Sequence, residues 1–122
     1  MIPIFQSRST CNFSTNFQKK TLKHPNDLPD YLKQIGVPFP YDWRRVSILE
    51  AGQNWESTWA TKYHNFLGFN ACYFTSKEDC ANYLHKWIKK APPLPGENFE
   101  NYLIRRKYNP NMKNYLKLLR GI

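Results

Sequence analysis

The chain has 122 residues, with 18 Lys and Arg against nine Asp and Glu, which gives a formal net charge of +9 at pH 7. This length accommodates one domain with a modest core, and no run approaches the roughly 18 apolar residues that a membrane-spanning helix needs. The positive charge favours an anionic partner, which is nucleic acid, acidic lipid or an acidic protein surface, and the aromatic content of 16% favours anchoring at a protein interface.

The residues that enzymes need are absent or dispersed in this sequence. It contains no nucleotide-binding glycine motif and no HExxH metalloprotease motif. Its acidic residues are too scattered for a catalytic carboxylate pair, and Cys80 follows Glu78 and Asp79, whose charges disfavour a thiolate. We therefore expect a protein without enzymatic activity and without a bound cofactor.

Residues 1–26 are predicted to form an extended basic arm. Between Met1 and Pro25 there is no Asp or Glu, while basic side chains occur among Ser, Thr and Asn. This composition is typical of an organellar transit segment, and the stretch SRSTCNFST resembles the end of a mitochondrial presequence. A retained basic arm is the alternative. Residues 27–122 are then expected to form the helical domain.

Two short helices are predicted before the centre of the chain. Residues 27–35 place Pro29 in the first turn and Gly36 at the stop of the first helix. The prolines of 37–41 predict a rigid linker of polyproline type. Residues 42–51 fit either a helix or a short strand through VSIL, and we favour the helix.

The stretch 54–90 is predicted to form a central hairpin of two helices. We expect the first to begin at Asn54 and to stop at Gly68. Aromatic residues recur along it at near-helical spacing, at Trp55, Trp59, Tyr63 and Phe66. Such a stripe favours a core face, but its size also suits a surface that packs on a partner.

The second helix of the hairpin has the stronger start signal. Thr75 is predicted as its N-cap, and Glu78 as the residue that completes a capping box. Lysines near residue 90 suit its C-terminal end. Its buried stripe is predicted to consist of Cys80, Leu84, Trp87 and Ile88.

Two further helices are predicted after the proline-rich break at 91–96. The first covers 97–107, and Asn109 with Pro110 predicts the start of the second. An apolar stripe on the second helix contains Met112, Tyr115, Leu116 and Leu119, beside a basic stripe of Lys113, Lys117 and Arg120. The whole chain is thus predicted to be mostly α-helical: a small single domain of short helices around the central hairpin, with an extended N-terminal arm and proline-rich linkers.

The three cysteines, Cys11, Cys72 and Cys80, match neither a zinc-binding spacing nor a dense disulfide framework. We favour free buried thiols in a reducing compartment, with a Cys72–Cys80 bridge as the alternative. A zinc site that adds His64 and His85 is conceivable, but its spacing matches no structural zinc pattern, so no metal is predicted.

One resemblance to a known family rests on two short fragments. The segment FTSKEDCANY, with RRVSILEA upstream, resembles parts of a soluble accessory subunit of respiratory complex I that carries an FSTKEDA-like segment. The spacing between the two fragments is shorter in this chain. The resemblance assigns no role to any residue.

The features together favour a non-catalytic accessory subunit of a large mitochondrial inner-membrane complex, of the respiratory chain or the ATP synthase, lying peripheral to the membrane. Its expected partners are neighbouring protein subunits and anionic lipid head groups. The predicted partner interface consists of Trp55, Trp59, Tyr63 and Trp87. The predicted contacts to an anionic partner are Arg105, Arg106, Lys107, Lys113, Lys117 and Arg120.

Two other hypotheses use the same features. In a mitochondrial ribosomal protein, the basic C-terminal helices would bind rRNA and the tyrosines among them would stack on unpaired bases. A basic protein that lines an acidic polymer, such as a microtubule lumen, is the more distant hypothesis.

Overall fold

A computed structural model describes residues 21–70 and 73–122. Within these ranges the chain forms six α-helices and a short 3-10 turn, Pro25–Asp27, and contains no β-strand. The helices are α1 (Leu28–Ile35), α2 (Pro40–Ala51), α3 (Thr58–Thr61), α4 (Lys77–Lys90), α5 (Phe99–Arg106) and α6 (Met112–Arg120). The prediction of a small, mostly helical single domain is confirmed.

The first two helices follow the local sequence signals closely. Gly36 ends α1 with a φ of 84°, and its N–H bonds the carbonyl of Leu32. The linker is shorter than predicted, because Pro40 already occupies the first turn of α2. Residues 42–51 belong to that helix, so the strand alternative for VSIL is wrong.

The long helix predicted from Asn54 is wrong, since only the four residues of α3 are helical there. Trp55 and His64 both have a φ of 56°, in the left-handed region that a right-handed helix cannot pass through. Ser57, rather than Asn54, caps the short helix by accepting a hydrogen bond from the Ala60 N–H. The expected central hairpin therefore retains only its second helix, α4.

The start of α4 lies one residue later than the predicted capping box. Ser76 is the N-cap, and its hydroxyl accepts the Asp79 N–H at 3.1 Å. Thr75 instead donates to the Asp79 carboxylate. Glu78 does not form the predicted bond to the cap, and its carboxylate instead accepts the Leu22 N–H at 2.6 Å. The predicted stripe holds: Cys80, Leu84 and Ile88 are buried and Trp87 is half-buried.

The last two helices begin at asparagine caps. Asn98 caps α5 by accepting the Asn101 N–H. Asn111 caps α6, so the predicted cap at Asn109 is wrong by two residues. Asn109 instead accepts the Asn111 N–H in the turn that precedes the helix.

A tryptophan of α2 joins the C-terminal helices to the rest of the core. Trp43 is fully buried, and its ring packs edge-on against Phe99 at 4.9 Å, Tyr108 at 5.6 Å and Trp87 at 6.0 Å between centroids. These contacts fix the positions of α4 and α5 relative to α2. They also place Trp87 where α5 ends.

The predicted arm, residues 1–26, falls mostly outside the described residues. Its last part packs on the domain, since Leu22 and Pro25 are buried. His24 caps the 3-10 turn through its ring Nδ1, which accepts the Asn26 N–H. The packed domain thus includes Leu22, ahead of the expected start at residue 27.

Candidate interaction surfaces

The four aromatic residues predicted as one partner interface lie in three different environments. Trp55 is 2% exposed, and it stacks on Phe66 at 4.2 Å while its indole N–H donates to the Ser47 hydroxyl at 2.9 Å. Trp87 packs against the core at the end of α5. Only Trp59 and Tyr63 lie together outside the core cluster. The structure therefore divides the predicted interface.

Trp59, Tyr63 and Tyr73 form a surface cluster that we call the aromatic triad. Tyr63 and Tyr73 stack at 4.2 Å with an interplanar angle of 12°, and Trp59 lies 4.9 Å from Tyr63. All three rings are half-buried. The ammonium group of Lys62 lies 5.4 Å from the centre of the Tyr63 ring. The sequence pattern missed Tyr73, because it is brought to the triad by tertiary structure.

Backbone hydrogen bonds hold the chain beneath the aromatic triad. The Phe74 N–H donates to the Tyr63 carbonyl at 2.9 Å, and the Asn65 N–H donates to the Trp59 carbonyl at 2.8 Å. The left-handed backbone at His64 turns the chain between these two bonds. The triad is therefore displayed on an ordered loop rather than on the face of a helix.

Two of the six predicted anionic contacts are already paired with carboxylates. Arg105 binds Glu97 through two nitrogens, at 2.7 and 2.8 Å, and Arg120 binds Glu100 at 2.6 and 3.0 Å. The hydrogen bonds from Arg105 lower the pKa of Glu97 to about 2. Those from Arg120 likewise lower the pKa of Glu100. These arginines brace the C-terminal helices.

Arg106 is held by contacts to uncharged groups. Its guanidinium carbon lies 3.6 Å from the centre of the Trp87 ring. Its Nη1 donates to the Tyr102 hydroxyl at 2.7 Å and to the Ala91 carbonyl at 3.0 Å. It belongs to none of the three ion pairs found among the described residues. Its charge is therefore fixed in position without a carboxylate partner.

A cleft of about 140 Å³ lies beside this arginine. We call it the Arg106 cleft. Its lining includes the backbone at Gly68 and the rings of Trp87 and Tyr108, and its two cations are Arg106 and Lys107. The Tyr108 hydroxyl donates to the Leu67 carbonyl, which ties the loop that contains Gly68 to the end of α5.

The other predicted anionic contacts are exposed lysines. Lys107, Lys113 and Lys117 all face solvent and belong to none of the ion pairs among the described residues. On α6 the opposite side is anchored by Tyr115, whose hydroxyl donates to the Glu50 carboxylate at 2.8 Å. The basic stripe of this helix is thus displayed outward, as the sequence pattern predicts.

The acidic side chains are largely committed to internal hydrogen bonds. At least eight of the nine accept one from within the described chain: Asp27, Asp42, Glu50, Glu56, Glu78, Asp79, Glu97 and Glu100. Three of them pair with arginines, and none of the three ion pairs among the described residues includes a lysine, so the lysine charge stays largely uncompensated on the surface.

The cysteine and histidine side chains form no metal centre among the described residues, where no group of three potential ligands occurs. Cys80 is a free, buried thiol, and burial raises its pKa to about 12. Cys11 and Cys72 lie outside the described residues. Burial also lowers the pKa of His64 and of His85.

Comparisons of the chain with protein-family models, with curated proteins and with solved structures find no match. The fragments that resemble a complex I subunit lie in α2 and around the start of α4. No helix within the described ranges is both long and apolar enough to cross a membrane.

Proposed function

We propose that this protein is a non-catalytic accessory subunit of a large mitochondrial inner-membrane complex, and that it docks on neighbouring subunits through the aromatic triad. The observation that carries the proposal is the cluster of three half-buried rings outside the core, in which Tyr63 stacks on Tyr73 and Trp59 lies tilted beside them. Aromatic side chains of this kind anchor protein interfaces, because they bury a large area at a small cost in conformational entropy. The acid-free composition of residues 1–25 supports the mitochondrial setting.

The charge distribution supports a position beside an anionic surface. The exposed lysines of α6 and the end of α4 carry charge that the internal acids do not neutralise. Anionic lipid head groups at the inner membrane attract such residues. In this arrangement the triad supplies most of the affinity, and the lysines orient the protein.

The test is sedimentation of detergent extracts from cells that express variants of the chain. We expect Trp59→Ala with Tyr63→Ala to move the protein from a heavy complex to the free fraction, and the wild-type complex to resist RNase. Tyr41→Ala is the matched control, because Tyr41 is 59% exposed and packs beside Lys33 away from the triad. Unchanged migration of the folded double variant would refute docking through the triad.

A mitochondrial ribosomal protein is the second candidate. The outward basic stripe at Lys113 and Lys117 favours it, since lysines of this kind bind phosphate groups in a salt-dependent manner. In that case RNase would release the wild-type protein from the heavy fraction. Changing Lys107, Lys113 and Lys117 to Gln would then release it as well, whereas the triad variants would remain bound.

A further inference from the structure

We propose that the Arg106 cleft receives the carboxylate of a Glu or Asp side chain from a protein partner. This inference rests on the proposed function, because it names the chemistry of one contact within that assembly. It differs from the proposal for the triad in residues, in location and in the group that is recognised.

Two adjacent arginines show why the charge at residue 106 is available. Arg105 already holds Glu97 in a bidentate pair. Arg106 instead lies flat on Trp87 and donates through Nη1 to a carbonyl and a hydroxyl. The donors of a guanidinium group form a planar fork that matches a carboxylate. Arg106 is thus held in place by neutral groups, and its positive charge can pair with an incoming anion.

The arginine is also preorganised for binding. Its stacking on Trp87 and its two hydrogen bonds restrict the rotamers of a long side chain, whose ordering otherwise opposes association. Lys107 adds a second cation to the same cleft. An exposed lysine on α6 lacks this fixed arrangement, so the cleft is a more specific anion site than the basic stripe.

The size and walls of the cleft favour a single side chain over a polyanion. About 140 Å³ accommodates one small group, and the rings of Phe69, Trp87 and Tyr108 provide the apolar part of a lining that is otherwise polar, with Asn70, Arg106 and Lys107. Such walls suit the methylene groups of an acidic side chain, while the two cations bind its carboxylate. A nucleic acid or a lipid surface would need a row of phosphate contacts instead.

One acidic residue of the protein lies next to Gly68, which lines the cleft. An added Cβ at Gly68 would lie against the carboxylate of Glu50. The Glu50 carboxylate is already bound by the Tyr115 hydroxyl, and it makes no ion pair with Arg106. It therefore does not take the place of the proposed ligand.

The test is an NMR titration of the full chain at low salt with the peptide acetyl-Gly-Gly-Glu-Gly-Gly-amide. We expect saturable shifts at the Trp87 indole N–H and the Arg106 side-chain N–H, and none with the matching Gln peptide. Arg106→Gln should weaken binding by about tenfold or more, because a hydrogen bond to a charged group is lost. Arg105→Gln is the matched control and should change the affinity by no more than about twofold.

The outcomes separate this inference from its alternatives. Equal weakening by Arg105→Gln and Arg106→Gln would mean that only general charge matters, and would overturn the site. Tighter binding of inorganic phosphate than of the Glu peptide would assign the cleft to phosphate instead. If Arg106→Gln does not fold, Lys107→Gln and the location of the wild-type shifts decide the question. NMR shifts spread over α6 would refute binding of the peptide in the Arg106 cleft. The triad variants test docking on the complex in cells. A negative peptide titration would therefore leave the proposal for the aromatic triad standing.

Discussion

The loop from residue 52 to 70 and the helix α4 carry similar helical patterns but fold differently. Both have apolar residues at spacings near 3.6, yet the loop contains one helical turn and α4 contains 14 residues in a continuous helix. In α4 the apolar residues share one buried stripe. In the loop Trp55 is buried against Phe66, while Trp59 and Tyr63 are at the surface.

The difference shows that apolar periodicity predicts a helix only where all the apolar residues of the stripe can pack against the same part of the core. Trp55 is drawn into a separate pocket, where its ring stacks on Phe66 and its N–H reaches Ser47. The backbone at Trp55 is left-handed in this arrangement, with a φ of 56°. The loop sequence also contains Asn, Ser and Thr, which form local caps and turns in competition with a helix. Tertiary contacts therefore outweigh its weak helical preference.

The two tryptophans of the loop provide the largest expected contrast in stability. We expect Trp55→Ala to lower the free energy of unfolding by about 3–5 kcal/mol, because a fully buried ring and its hydrogen bond are lost. Trp59→Ala, four residues away on the half-buried triad, should cost about 1 kcal/mol. Urea denaturation followed by circular dichroism measures both. Equal losses would mean that the loop packs as the single helix predicted from the pattern.

A glycine comparison tests the packing of the loop against α2. Gly68→Ala would place a Cβ against the Glu50 carboxylate, which must then shift and disturb its bond to Tyr115. Gly96→Ala is the matched control, because Gly96 has a similar φ of 79° and no atom within 4 Å of an added Cβ. We expect Gly68→Ala to be more destabilising by about 1–2 kcal/mol in the same denaturation assay. An equal effect would show that only backbone strain matters.

The N-cap of α4 should contribute more to the free energy of unfolding than the N-cap of α3. Ser76→Ala removes the N-cap of α4 and should cost about 1 kcal/mol. Ser57→Ala removes the same type of cap from α3 and should cost less, because that helix has only one turn to propagate. Thermal unfolding of both variants beside Thr75→Ala checks the assignment. A larger loss for Thr75→Ala than for Ser76→Ala would restore the cap predicted from the sequence.

One histidine in each region reports on pH. Burial lowers the pKa of His64, with Lys77 adding to the effect, and lowers that of His85, with Lys89 adding. The unfolded chain then binds more protons below its histidine pKa of about 6.5, so stability is present above that pH and falls as the pH drops through the lower folded pKa values.

Imidazole NMR titrations measure these folded-state pKa values directly. We expect Lys89→Gln to raise the pKa of His85 partway, because one repulsive charge is removed, and to leave His64 unchanged. Titration of either wild-type histidine above pH 6.5 would contradict the shifts.

The local signals of the chain were sufficient where a helix needed only a stop, a cap and one apolar face. Gly36 after α1 and the stripe of α4 were readable for this reason, whereas the Asn98 cap of α5 was not predicted. The outward basic stripe of α6 also followed from spacing alone.

Contacts between residues distant in the sequence determined the features that the local signals did not predict. The expected capping box is absent, since Ser76 rather than Thr75 caps α4 and the Glu78 carboxylate binds the remote Leu22 N–H. The aromatic triad includes Tyr73, ten residues after Tyr63, and the Arg106 cleft joins a loop, α4 and the end of α5. The sequence by itself thus determined the helical class, the basic charge and the C-terminal ends of α1, α2 and α4, because these depend on near neighbours. Only the tertiary structure decided which aromatic rings are buried and which of the C-terminal arginines pair with a carboxylate, because both depend on residues that folding brings together.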